Sequence, residues 1–124
     1  MKILHLDYTQ YPTEVVDNLK GNFLLDTFAC NDQQALYAKL SAFQYDAIFT
    51  KLGLMIDRKA MDLQPSLKFI VTPTTGLNHI DIDEARLRGI QIVSLKGESA
   101  FLANIKSTAE HTWGLLLSLI RHIP

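Results

Sequence analysis

The sequence predicts an α/β fold built on a doubly wound parallel sheet. Two observations carry this: five short apolar runs alternate with stretches of helical periodicity, and the fourth run, Leu67 to Val71, is almost uninterrupted. Alternation of strand and helix signals implies parallel pairing by crossover connections. A strand apolar at nearly every position is expected where helices cover both faces of the sheet.

Taken in order, Lys2 to Asp7 alternates and ends on an acidic residue, which reads as a first strand. Pro12-Thr13-Glu14 opens a helix with the stripe Val15, Val16 and Leu19, and Gly21-Asn22 closes it. Phe23 to Ala29 is the second strand. Asn31-Asp32 supplies a cap for a helix whose apolar positions Leu36, Leu40 and Phe43 recur at helical spacing. Tyr45 to Thr50 is the third strand, and Asp57 to Leu63 a short helix closed before Pro65. After the fourth strand comes Thr72-Pro-Thr-Thr-Gly-Leu-Asn-His-Ile-Asp81, then a helix from Asp81 to Arg88 terminated by Gly89. Ile90 to Leu95 is the fifth strand, and one long helix is expected from about Ser99 to Ile123. Five strands wound this way give the flavodoxin-like version of the fold.

The last helix does not suit a self-contained domain. Ala109, Trp113, Leu116, Leu117 and Ile120 form one apolar stripe, and Leu115, Leu119 and Ile123 widen it to a second side. A helix apolar around more than half its circumference requires cover on more than one face, from another domain or another subunit.

Composition narrows the partners. The 124 residues are 48% hydrophobic with a net charge of −1, which suits one core and gives no basis for a nucleic-acid or membrane partner. The run Trp113 to Ile120 is far shorter than the ~20 residues a membrane helix needs. Cys30, the one cysteine, excludes an internal disulfide, reads as a small core residue and suits a cytoplasmic setting.

The stretch 72–81 is the expected functional centre, because ligands of open α/β sheets bind at the carboxyl ends of strands. Gly76 would give the turn its conformation and let a ligand approach the backbone; the plainer reading is a glycine serving a tight turn. Asp81 is read as a helix cap rather than a metal ligand. Glu110 lies several residues inside the expected last helix, so capping does not account for it. The loop Lys96-Gly-Glu-Ser99 either carries specificity or only lengthens a connection.

Three motifs, in this order and spacing, resemble the D-isomer-specific 2-hydroxyacid dehydrogenases, a family that includes phosphoglycerate dehydrogenase. They are Leu67-Lys-Phe-Ile with Thr75-Gly-Leu-Asn-His-Ile-Asp81, then Ala85 with Arg88-Gly-Ile-Gln-Ile-Val93, then Thr108-Ala-Glu-His-Thr112 running on to Pro124. The resemblance implies that residues 1–100 form a substrate-binding domain and that residues 101–124 are an interdomain helix leading toward a Rossmann domain. It implies an NAD(H)- or NADP(H)-dependent hydride transfer between a small anionic 2-hydroxy acid and its 2-keto acid. The substrate carboxylate would sit on the backbone N–H groups of Thr75 and Gly76, with Leu77 adjacent and Lys51 at the substrate's anionic end. The family's catalytic Arg, Glu and His fall beyond this stretch, and no G-x-G-x-x-G occurs in it. The chain is therefore expected to bind no cofactor and to be silent alone, and to form a homo-oligomer through its last helix. The competing expectations are a signalling receiver domain, disfavoured by Thr50-Lys51 where a phospho-accepting carboxylate is needed, and a free-standing dimeric interaction module.

Overall fold

The computed structural model describes residues 1–122, with the side chain of Gln10 left aside, so Ile123 and Pro124 lie outside the described residues. Five strands, β1 (Lys2–His5), β2 (Leu24–Thr27), β3 (Ala47–Phe49), β4 (Phe69–Val71) and β5 (Gln91–Val93), form one sheet in the order β2-β1-β3-β4-β5. Every pairing is parallel, with Ile3 facing Leu25 on one side and Ala47 on the other. This is the flavodoxin-like order, with its switch point between β1 and β3. Each strand is shorter than the apolar run that announced it, although inter-strand hydrogen bonds continue one residue further, from Leu6 N–H to Phe49 O, Thr50 N–H to Val71 O and Thr72 N–H to Val93 O.

The helices are α1 (Thr13–Asn22), α2 (Gln33–Ala42), α3 (Arg58–Asp62), α4 (Ile82–Leu87), α5 (Ser99–Leu102) and α6 (Ser107–Arg121). Side chains alternate across a strand, and Leu4, Leu6, Ile48 and Ile70 point to the face where Leu36 and Leu40 of α2, Ala60 and Met61 of α3 and Ala85 of α4 complete the core. Cys30 is buried in that core and donates its thiol proton to the carbonyl of Asp32 at 3.0 Å. The opposite face, with Ile3, Ala47, Phe49, Phe69 and Val71, is covered at one side by Leu19 of α1, around an apolar cavity of about 300 Å³.

Asp32 and Asp81 cap helices where the sequence places them, and Asp57, expected as the first residue of its helix, is a third cap. Asp32, Asp57 and Asp81 each accept a backbone N–H of the first turn they precede, from Ala35, Ala60 and Glu84. Gly89 adopts a φ of 70°, the left-handed conformation that favours glycine after a helix. Gln64 is fully buried: its carbonyl oxygen accepts Tyr45 N–H at 2.8 Å, and its amide donates to the carbonyls of Leu40 and Phe43, each at 2.7 Å. It thereby ties the end of α2 to the entry of β3.

Two expectations need correction. Phe43 is not part of the buried stripe of α2; it follows the helix, stands exposed, and lies under the ammonium groups of Lys2 and Lys39. The long last helix is broken. Residues 103–106 turn between α5 and α6, where Asn104 turns its side-chain amide back to the carbonyl of Ala100 at 3.2 Å. Asparagine competes with helical backbone in this way. The break moves the helix start to Ser107, so Glu110 falls in the first turn of α6, where a carboxylate complements the helix dipole. The expected boundary at residue 100 lies inside α5. No residue of α6 is buried; Trp113 is 64% and Leu119 is 75% exposed.

Candidate functional site

Beyond β4 the chain is held at both ends of its loop. Thr72 N–H donates to the carbonyl of Val93 at 2.9 Å, and the short parallel bridge between Ile56 and Ile80 anchors the far side through Ile56 N–H to His79 O and Asp81 N–H to Ile56 O. Between these anchors Thr75 and Gly76 are exposed. Among the described residues, no protein acceptor takes the N–H of Thr75, Gly76 or Leu77. Three successive amides are thus left free of a protein acceptor, the condition an anion-binding loop must meet.

Gly76 does not have the role in the turn that its residue type suggests. Its φ lies outside the left-handed region, and a Cβ built on it meets nothing within 4 Å. The fold therefore makes no demand for glycine at 76, and the open space over its backbone is room for a ligand.

That space is the mouth of a cavity of about 640 Å³. Thr74, Thr75, Asn78 and His79 supply its polar lining with Gly76 among them, and Leu52, Met55, Pro73, Leu95, Leu102 and Ile105 its apolar lining. Of the four residues the sequence assigns to substrate, Thr75 and Gly76 line this cavity. Leu77 turns its side chain inward against the core, leaving only its backbone at the site. Lys51 stands apart, at the switch point just past β3. Its Nζ is 2.5 Å from Asn31 Oδ1 and 3.8 Å from Asp7 Oδ1.

The threonine hydroxyls set the protonation of His79. Thr74 Oγ1 donates to Gly76 O at 2.7 Å, so its single proton is committed. In the 3.0 Å contact between the Thr72 and Thr74 hydroxyls, Thr72 must then be the donor. Its oxygen consequently accepts from His79 Nε2 at 3.1 Å, and the neutral ring carries its proton on Nε2. The lone pair is left on Nδ1, which is buried without a partner. Burial also lowers the pKa of His79, favouring this neutral ring. His5 has a similar character at the switch point: it is stacked on Phe49, its Nδ1 accepts Asp7 N–H at 3.3 Å, its Nε2 is buried and unpartnered, and burial lowers its pKa.

The sequence did not point to the apolar wall. A continuous helix from Ser99 would pass through Leu102 and Ile105, whereas the break at 103–106 brings both into the lining of the cavity. Lys96-Gly97-Glu98 makes this possible, with Gly97 at a φ of 94°. The run Leu52-Gly-Leu-Met-Ile56 is the available signal, since its four apolar side chains cannot all face the core. Among the described residues, no three His, Cys, Asp or Glu side chains gather as a metal-ligand set. No helix of the described residues is long and apolar enough to cross a membrane.

Comparison with known proteins bears on the family and the fold. A profile of the family described as D-isomer specific 2-hydroxyacid dehydrogenase, catalytic domain, matches residues 4–114. The glyoxylate reductase of Thermofilum pendens is 40% identical over 78 residues, which are 63% of this chain and 22% of that protein. The D-3-phosphoglycerate dehydrogenase of Mycobacterium tuberculosis is 34% identical over 79 residues, 64% of this chain and 14% of that one. A D-lactate dehydrogenase from Aquifex aeolicus, solved with NAD and lactic acid, superposes with a TM-score of 0.70 at 20% identity, over 96% of this chain and 33% of its own. At that identity the likeness speaks for the fold. The chain thus spans much less than two thirds of the length of each relative.

Proposed function

The chain belongs to the D-isomer specific 2-hydroxyacid dehydrogenases, as their catalytic domain, and on that premise we propose that it is the substrate-holding part of a cytoplasmic NAD(H)- or NADP(H)-dependent oxidoreductase. In this reading a 2-hydroxy acid and its 2-keto acid are interconverted by hydride transfer. The single observation that supports it is the row of unpaired N–H groups at Thr75, Gly76 and Leu77, opening on the cavity within the matched region. Those amides hold the substrate carboxylate. Lys51, engaged by Asn31 and Asp7, stands at the same sheet edge outside the amide loop and is the nearby cation of this reading, without direct contact with the acid.

The residues of this chain do not fit the dinucleotide itself. Gly53, Gly89 and Gly97 are isolated turn glycines, and among the described residues no glycine-rich strand–turn–helix stands ready for a pyrophosphate. The division of labour is therefore that residues 1–100 bind and orient the acid. Residues 101–124 lead toward the part that carries nucleotide and proton-transfer groups. The bound nucleotide supplies the hydride; this chain's own contribution is to fix the carboxylate and shield one side of the reacting carbon.

The test has two arms. In the longer enzyme, 2-keto acids should be reduced with consumption of NADH or NADPH. In the 124-residue chain, labelled with ¹⁵N, glyoxylate should shift the amides of Thr75, Gly76 and Leu77. Shifts scattered over the surface, with none at these three, would refute the half-site. The exposed apolar residues of α6, Trp113, Leu115, Leu117, Leu119 and Ile120 among them, also support a homo-oligomer formed through this helix. Light scattering should show concentration-dependent association that Leu117→Glu weakens, and a monomer at all concentrations would count against it.

A further inference from the structure

We propose that the acid bound here carries an apolar side chain, aliphatic or aryl, and is not a phosphorylated one; this inference rests on the carboxylate half-site proposed above. None of the residues lining the 640 Å³ cavity is Lys, Arg, Asp or Glu. A phosphate bound beside the amide loop would meet Leu52, Met55, Leu102 and Ile105 and find no cationic side chain to pair with. Lys51, the cation assigned to this sheet edge, does not line the cavity and is already engaged by Asn31 and Asp7.

The apolar wall is built into the fold. Leu54 and Ile56 are buried in the core, while Gly53, at a φ of 91°, turns the chain so that Leu52 and Met55 face the cavity. The backbone of Met55 is clamped on both sides by one side chain: its N–H donates to Gln33 Oε1 and its carbonyl accepts from Gln33 Nε2, each at 2.8 Å. Leu95 is joined to the amide loop itself, donating its N–H to Thr74 O at 3.2 Å. Met55 and Leu95 are thus held in fixed relation to the polar lining, as needed to read both the carboxylate and a hydrocarbon group of one small acid.

The experiment titrates three probes into the ¹⁵N-labelled chain: glyoxylate, which has no side chain, 4-methyl-2-oxopentanoate, and 3-phosphooxypyruvate. The expected order places 4-methyl-2-oxopentanoate about tenfold or more tighter than glyoxylate, in line with the gain per added methylene in an apolar pocket. Its shifts should spread from Gly76 to Met55 and Leu102, and the phosphorylated probe should bind no tighter than glyoxylate. Leu52 is 64% exposed, so Leu52→Lys should fold normally and move the preference toward the phosphorylated probe. Equal affinities, a preference of the unaltered chain for 3-phosphooxypyruvate, or an unchanged order in Leu52→Lys would overturn the inference. In the first two cases glyoxylate shifts at Thr75–Leu77 would leave the half-site standing. Absence of those shifts with all three probes would remove the half-site and this inference together.

Discussion

Thr72 Oγ1 and His79 Nε2 lie 3.1 Å apart, both residues buried, at the two ends of the loop that follows β4. The contact fixes which ring nitrogen carries the proton, because the Thr72 proton is taken by Thr74 and the Thr74 proton by Gly76 O. A chain of three hydroxyl and imidazole groups thereby braces the loop from beneath while its amides stay open above.

Replacing Thr72 with Val preserves shape but leaves the His79 Nε2–H buried without an acceptor. The expected loss is about 1–3 kcal/mol of stability, measured by urea unfolding. Long-range ¹H–¹⁵N spectra of the unaltered protein should show His79 as the Nε2–H form. An Nδ1–H ring would contradict the proton order derived for the loop.

Stability should fall on mild acidification. Burial lowers the pKa of both His5 and His79 in the folded chain, while the unfolded value stays near ~6.5. Below that value the unfolded chain takes up protons that the folded chain refuses. Their contribution is complete above about pH 6.5 and declines as pH falls toward the folded pKa values, by at most ~1.4 kcal/mol per pH unit for each histidine. Urea midpoints between pH 7.5 and 5 should record the decline; a flat profile would show that neither ring is held neutral by the fold.

Gly76→Val separates folding from binding. Its Cβ meets nothing within 4 Å and its φ demands no glycine, so stability should change by no more than ~0.5 kcal/mol. The same branched side chain occupies the space before the amides. In the longer enzyme it should lower kcat/KM about ten- to a hundredfold. Wild-type kinetics with an intact fold would exclude carboxylate binding at this point.

Gln64→Leu should be among the costly substitutions away from the site. It strands Tyr45 N–H and the carbonyls of Leu40 and Phe43, all partners of one buried side chain. Roughly 2–4 kcal/mol is the expected penalty, read from the urea midpoint, with little change in amide shifts at 75–77.

The sequence by itself determined the class of the fold, because strand and helix periodicities and the aspartate and glycine caps are local properties. Asp32, Asp81 and Gly89 act where their residue types place them. It also located the loop 72–81, since an apolar strand ending in threonines and a glycine announces its own exit. What it could not reveal depends on contacts between distant segments. The break at Asn104, the entry of Leu102 and Ile105 into the cavity lining, the pairing of Lys51 with Asn31 and the three bonds of Gln64 join residues with no local pattern in common. Gly76 shows the limit from the other side. Its residue type suggested a conformational need, and only the tertiary structure disclosed open space above an ordinary backbone. Periodicity decides which residues must be buried; the packing of the elements decides which groups are left free to meet a ligand.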